Sequence, residues 1–223
     1  MHRLAAGPGS ALLMGLALLM SLPLAARSAA AQELPPHQQP GRVGAALVLA
    51  GPVGLYGAVA AYQLHPAIEV QAGLVTQSVK VNDSSGTATA SASANVTTPL
   101  VRARLWPYER HNLIAEVGVA AMVYELRADG SDKAGNSIHY KRGATSPLLF
   151  AGGGYGLRTD AGFRLAVLMG WMQYLGGAGE STVTATGAFD AGDRASMKQS
   201  LDKTTDGLVE ARPYVELSAG WMF

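Results

Sequence analysis

From Leu208 to Phe223, apolar and polar positions alternate. Val209, Ala211, Pro213, Val215, Leu217, Ala219, Trp221 and Phe223 form one set, and Glu210, Arg212, Tyr214, Glu216, Ser218, Gly220 and Met222 the other. A strand sends successive side chains to opposite faces. The segment therefore predicts a strand with one apolar face and one face bearing three charges. The same period recurs upstream. Val101, Ala103 and Leu105 oppose Arg102, Arg104 and Trp106; Ala115, Val117, Val119, Ala121 and Val123 oppose Glu116, Gly118, Ala120 and Met122. Phe163, Leu165, Val167, Met169 and Trp171 oppose Arg164, Ala166 and Gly170; Ile68, Val70, Ala72 and Leu74 oppose Glu69, Gln71 and Gly73. The segments 53–63 and 146–158 are too rich in Gly and Ala for a face to be assigned.

Three compact connections separate these segments: Leu64-His65-Pro66, Tyr108 to Asn112 and Thr159 to Gly162. Each carries residues that favour hairpin turns. Between them lie three longer polar stretches, Lys80–Val96, Ala128–Ala144 and Ala178–Gly207, which predict weakly structured loops. Short turns alternating with long loops is the asymmetry of membrane barrels, with the turns on the periplasmic side. Strands are predicted over 42–50, 53–63, 67–79, 97–107, 113–127, 146–158, 163–176 and 208–223, with Gly51-Pro52 as a tight outer turn. Eight is an even number, which closes. The fold class is all-β, an eight-stranded antiparallel up-and-down transmembrane β-barrel.

Two other architectures fit parts of the pattern. Val43–Tyr62 is apolar enough for a membrane helix, but Gly44, Gly51, Pro52, Gly54 and Gly57 interrupt it. The remaining apolar runs are too short to span as helices, which need about 20 residues. A soluble lipocalin-type barrel would turn its apolar faces inward and would not favour a terminal Phe223.

The polar faces converge on one prediction about the interior. Glu69, Glu116, Glu210 and Glu216 meet Arg102, Arg104, Arg164 and Arg212 in a lumen charge network of four acids and four bases. An eight-stranded barrel has room inside only for side chains, and charges there need partners. The network reads as a rigid plug. Aromatic belts are expected from Tyr62, Tyr108, Trp221 and Phe223 at one membrane boundary and Tyr124, Trp171 and Tyr174 at the other.

Residues 1–31 read as a cleaved secretory signal: Arg3, an apolar run from Ala11 to Leu22, then Ala29-Ala30-Ala31. Residues 32–41 follow as a Pro-rich linker, and 42–223 form the barrel. Without Arg3 and Arg27, 15 basic side chains stand against 16 acidic ones, so no basic excess attracts nucleic acid. The chain has no Cys, which excludes a disulfide framework, a thiolate metal site and a lipidated N-terminus.

The end of the chain, Glu216-Leu217-Ser218-Ala219-Gly220-Trp221-Met222-Phe223, resembles the C-terminal assembly signal of bacterial outer-membrane proteins. Glu216, Trp221 and Phe223 match it, while Ser218 stands where Gly is usual. Residues 42–223 as a whole resemble the small OmpA/OmpX-type eight-stranded barrels. The resemblance implies location in the bacterial outer membrane, contact with its lipid, insertion by the barrel-assembly machinery and three surface loops. The loop composition names no ligand.

No cofactor is predicted. Gly152-Gly153-Gly154-Tyr155-Gly156 has no following helix and is no phosphate loop; its glycines make room inside the barrel or bend a strand. The aspartates Asp129, Asp132, Asp190 and Asp193 are scattered, and no metal-ligand spacing appears. Rim catalysis on a small barrel uses a His near a hydroxyl and a carboxylate. His139, beside Ser137 and near Asp132, is the candidate for it. The primary reading is a non-enzymatic barrel whose loops bind a partner or whose body supports the envelope. A rim hydrolase or acyltransferase, or a small pore, is the alternative.

Overall fold

The computed structural model describes residues 39–52, 54–85, 88–107, 112–177, 179–188, 191–207 and 210–223. The signal segment, most of the linker, His37 and the turn 108–111 lie outside these residues. Eight long strands form the wall: β1 Val43–Gly51, β2 Gly54–His65, β3 Ile68–Ser85, β4 Ala88–Leu105, β5 Leu113–Asp132, β6 Ser137–Arg158, β7 Phe163–Tyr174 and β9 Arg212–Met222. A short strand, β8 (Ser181–Thr186), and helix α1 (Ala191–Asp206) stand between β7 and β9. Each wall strand pairs antiparallel with its neighbours in the chain, β7 joins β9, and β1 meets β9 from Gly44↔Met222 to Leu49↔Leu217. The eight wall strands therefore close into an antiparallel barrel. Val43–Tyr62 folds as β1 and β2, paired Val43↔Tyr62, and forms no helix.

The strands on one side are longer than the apolar pattern predicts. β3 and β4 stay paired to Ser85↔Ala88, and β5 and β6 to Ser131↔Ser137. Two of the three expected loops are thus largely strand extensions. In 88–97 the alternation is Ala and Val against Thr, Ser and Asn, small residues whose period of two carries little hydropathy contrast. Asp132 organises the β5–β6 tip: Oδ1 accepts from the Ala134 and Asn136 amides at 2.9 Å, and Oδ2 from Asn136 Nδ2 at 2.7 Å.

The third expected loop holds β8, which extends the sheet along the outer part of β6 from Ser137↔Thr186 to Arg142↔Ser181. Helix α1 follows, with Asp193 in its first turn and Lys203 in its last, each complementing the helix dipole. Lys198 Nζ donates to Asp202 Oδ2 at 2.6 Å one turn on. Met197, Leu201 and Asp202 are its half-buried positions, while the rest of its described face is exposed. Arg142 on β6 donates to Asp206 at 2.8 Å, to the Asp202 carbonyl at 3.1 Å and to the Gly179 carbonyl at 3.0 Å. Tyr140 Oη donates to Asp202 at 3.0 Å. These bonds clasp the helix to the inner face of β6.

Candidate functional site

The wall is apolar outside and polar within. Leu47, Leu74, Val101, Val119, Val167, Met169, Val215 and Leu217 are exposed, whereas Glu69, Gln71, Arg102, Glu116 and Glu216 are at most 2 % exposed. A water-soluble barrel reverses that order. Trp171 and Tyr56 on one rim and Tyr62, Tyr155, Trp221 and Phe223 toward the other add exposed aromatics, as an interfacial belt requires. Tyr124 and Tyr174, expected in that belt, are buried inside instead, because the phase of β5 and β7 turns them to the lumen.

The interior is layered, as the inward positions show. On β4 they run Leu100, Arg102, Arg104, continued by Trp106 just past its end; on β5, Met122, Ala120, Gly118, Glu116, Ile114. A hydrophobic cluster of Val48, Val75, Leu148, Phe150, Met172 and their neighbours fills the half toward the long hairpins. A smaller one, Trp106, Ile114, Ala166 and Leu168, lies toward the short turns. The charges sit between them.

Arg102 and Arg104 on β4 meet Glu116 on β5 and Glu216 on β9. Arg102 Nη1 lies 3.3 Å and Arg104 Nε 3.1 Å from Glu116 Oε2, and both guanidiniums also bond Glu216. Arg102 Nε donates to Gln71 Oε1 at 2.7 Å, and Tyr214 Oη donates to Glu116 Oε1 at 2.8 Å. A second group holds the short-turn end. Arg164 pairs with Glu69 and donates to Gln63 Oε1 at 2.7 Å. Gln63 Nε2 reaches the Pro66 and Ile68 carbonyls at 3.3 and 3.1 Å, tying the cluster to the β2–β3 turn. Gln71 links the two groups by donating to Glu69. Charge-assisted bonds of this kind hold side chains in fixed geometry.

Six of the eight expected lumen charges, Glu69, Arg102, Arg104, Glu116, Arg164 and Glu216, are therefore together. The other two are not. Glu210 is exposed ahead of β9, because the strand starts at Arg212 and not at Leu208. Arg212 faces inward but nearer the long hairpins, where its guanidinium lies 5.8 Å from the Tyr174 ring centre and donates to Tyr174 Oη at 3.1 Å. Two inward arginines escaped the sequence reading. Arg158 stacks on Trp106 at 3.5 Å and donates to the Pro66 carbonyl at 2.9 Å; it lies on the segment whose faces Gly and Ala obscure. Arg142 lies in a stretch read as loop. Its alternation with Tyr140 and Ile138 against His139 and Lys141 was the available signal.

Two glycines of β6 shape this interior. A Cβ on Gly152 would collide with the Tyr214 hydroxyl, and one on Gly156 with Ile114 and Trp106. The GGGYG run thus makes room for lumen side chains. A cavity of about 20 Å³ remains beside Glu69, Gln71, Arg104 and Arg164, room for about one water.

His139 lies elsewhere, on the outward face of the β6 extension. Its Nδ1 is 2.6 Å from Asp129 Oδ1, directly opposite on β5, and both side chains are about half exposed. Asp132, the expected partner, is occupied with its own turn. The pair borders an open hollow of about 420 Å³ lined by Asn82, Ser84, Thr89, Ser91, Ser131 and Ser137. Among the described residues no group of three or more metal-ligating side chains converges.

At the chain end, Glu216 and Ser218 face the lumen while Trp221 and Phe223 face out. Trp221 packs edge-on against Phe163 at 5.8 Å, and the Phe223 amide donates to the Val43 carbonyl at 2.8 Å. The expected signal residues thus lie on the strand that closes the barrel.

No known family model and no curated protein matches the sequence. Two CarO structures share the fold. CarO2 of Acinetobacter baumannii aligns with a TM-score of 0.54 at 12% identity, covering 83% of this chain and 100% of that one. CarO of the same organism aligns at 0.52 and 13% identity, covering 84% and 99%. A major outer membrane protein from Thermus thermophilus aligns at 0.42 and 11%, covering 82% and 98%.

Proposed function

We propose that this chain is an integral β-barrel of the bacterial outer membrane, non-enzymatic and closed to steady conduction. On this reading the outer parts of β3–β6, with β8 and α1, project from the cell surface to bind a partner or support the envelope. One observation carries it: the apolar side chains of a closed barrel face out, while its charges are buried and mutually paired within. Hydrocarbon satisfies such an exterior, and a closed strand ladder leaves no unpaired backbone in it. The layered packing and the water-sized cavity support a closed lumen. The half-exposed setting of His139, on an open sheet face, supports a non-enzymatic role.

Biogenesis by the barrel-assembly machinery belongs to the same reading, with Trp221 and Phe223 as recognised residues. Fractionation of cells making the parent or a chain lacking Phe223 tests it. The parent should float with outer membrane and the truncated chain should accumulate in the periplasm. Parent protein recovered soluble would overturn the location, and unchanged membrane yield without Phe223 would overturn the signal. Planar bilayers test closure: refolded protein should give no steady single-channel steps, and reproducible steps would show a pore.

A further inference from the structure

Inward and outward cations are sorted sharply on the wall. Every described strand arginine except Arg127 points into the barrel, whereas Lys80, Arg127 and Lys141 point out. Strand register places these three in one row across the sheet, Lys80↔Ser93↔Arg127↔Lys141. Residues directly opposite share a face. Arg127 and Lys141 keep 57% and 61% of their side-chain surface, and Lys80 is exposed. Glu125 lies between the last two, 2.7 Å from Arg127 and 3.1 Å from Lys141, and holds them side by side. One residue pair further out, Asp129 is turned to His139. The band of three cations and Glu125 carries two net positive charges.

Its height matters. The row Thr76↔Thr97↔Val123↔Thr145 is the last to carry a large exposed apolar side chain on β5. The cations stand four residues beyond it, ~13 Å along the strands and roughly 10 Å in height for strands tilted by about 40°. Headgroups occupy about 5–8 Å on each side of the hydrocarbon, and long basic side chains reach back toward them. The band is one-sided, since β1 and β2 contain no Lys or Arg and turn back at Gly51↔Gly54.

We propose that Lys80, Arg127 and Lys141 form a band that binds the phosphate groups of outer-leaflet lipid and fixes one side of the barrel at headgroup level. This rests on the membrane reading above. Their height above the apolar wall argues for a lipid headgroup as occupant, and the charge argues for phosphate. A surface cation contributes about fivefold to binding an anionic lipid layer, so two net charges give about 10- to 30-fold.

The test uses fluorophore-labelled barrel refolded in neutral maltoside micelles at low salt. It is titrated with lipid A carrying both phosphates, and with the same lipid stripped of them, by thermophoresis. The parent should prefer the phosphorylated lipid by about 10- to 30-fold. In the Lys80→Ser, Arg127→Ser, Lys141→Ser triple variant, shown folded by heat-modifiable gel mobility, that preference should vanish. Lys80→Gln alone, which disturbs no ion pair of the cluster, should reduce it about fivefold and serves if the triple variant does not fold. Equal binding of both lipids by the parent, an undiminished preference in the variants, or competition by millimolar inorganic phosphate would overturn the proposal. A parent that fails to insert into phosphate-free vesicles would instead overturn the membrane reading.

Discussion

Arg102 on β4 reaches across the lumen to Glu216 on β9, 114 residues away in the chain. Neither side chain has exposed surface. The pair belongs to a square with Arg104 and Glu116, so each charge faces two opposite ones. Removing one corner leaves a buried charge without full compensation. Glu216→Ala or Arg102→Ala should therefore cost on the order of 3–5 kcal/mol. Urea titration of the refolded barrel, followed by heat-modifiable gel mobility, measures it. A loss below about 1 kcal/mol for both would show that water reaches the square.

Tyr214 links that square to the hydrophobic cluster through its 2.8 Å bond to Glu116. Tyr214→Phe should cost roughly 1.5–3 kcal/mol, as expected for a hydrogen bond to a charged group. Gly152→Val should displace the same hydroxyl and cost about 1–3 kcal/mol by overpacking. Combined, the two changes should cost less than their sum, because both remove one bond. Strict additivity in a double-mutant cycle would separate Gly152 from Tyr214.

Arg212 distinguishes two kinds of inward charge. Were it paired with buried glutamates, Arg212→Ala would cost about 3–5 kcal/mol. Its partner is the Tyr174 ring and hydroxyl, so the expected loss is roughly 1–2 kcal/mol. The same urea titration decides between them.

The Asp202 contacts of the clasp on α1 should withstand mild acid. Partial burial pushes the Asp202 carboxyl up, but hydrogen bonds from Lys198 and Tyr140, with the Lys198 charge, outweigh it and bring its pKa to about 2. A depressed folded value means that the contribution is complete above the unfolded value of about 3.9 and is lost as pH falls through about 2. Pepsin should leave 191–206 intact at pH 4 and cut it at pH 2. At neutral pH, Arg142→Ala should speed tryptic cleavage at Arg194, Lys198 and Lys203 by about tenfold, the effect of roughly 1.4 kcal/mol of lost docking. Unchanged cleavage would place the docking energy elsewhere.

The period of two was enough to find the barrel and six of its lumen charges, because Val, Leu and Ile contrast strongly with Glu and Arg along β3, β4, β5, β7 and β9. It failed where that contrast fades. Ala88 to Thr97 alternates as regularly as any strand, yet methyl against hydroxyl reads as low complexity. Arg158 was hidden among glycines. The polar, loop-like composition of 128–144 conceals Arg142, and a Gly- and Thr-rich setting conceals the helix beyond it by masking the Met197–Leu201 and Lys198–Asp202 spacings. Glu210 was misplaced because the alternation runs on past the residue at which pairing begins.

The most direct measurement places one guanidinium at two heights on the same outward face. Val119 lies at mid-wall on β5 and is 53% exposed, whereas Ser131 lies on the same face near the tip. The refolded barrel is unfolded by urea from phosphatidylcholine vesicles. If hydrocarbon surrounds the wall, Val119→Arg should cost roughly 2–4 kcal/mol and Ser131→Arg less than about 0.5 kcal/mol. If Val119→Arg is as harmless as Ser131→Arg, water bathes the wall and the inside-out barrel is contradicted.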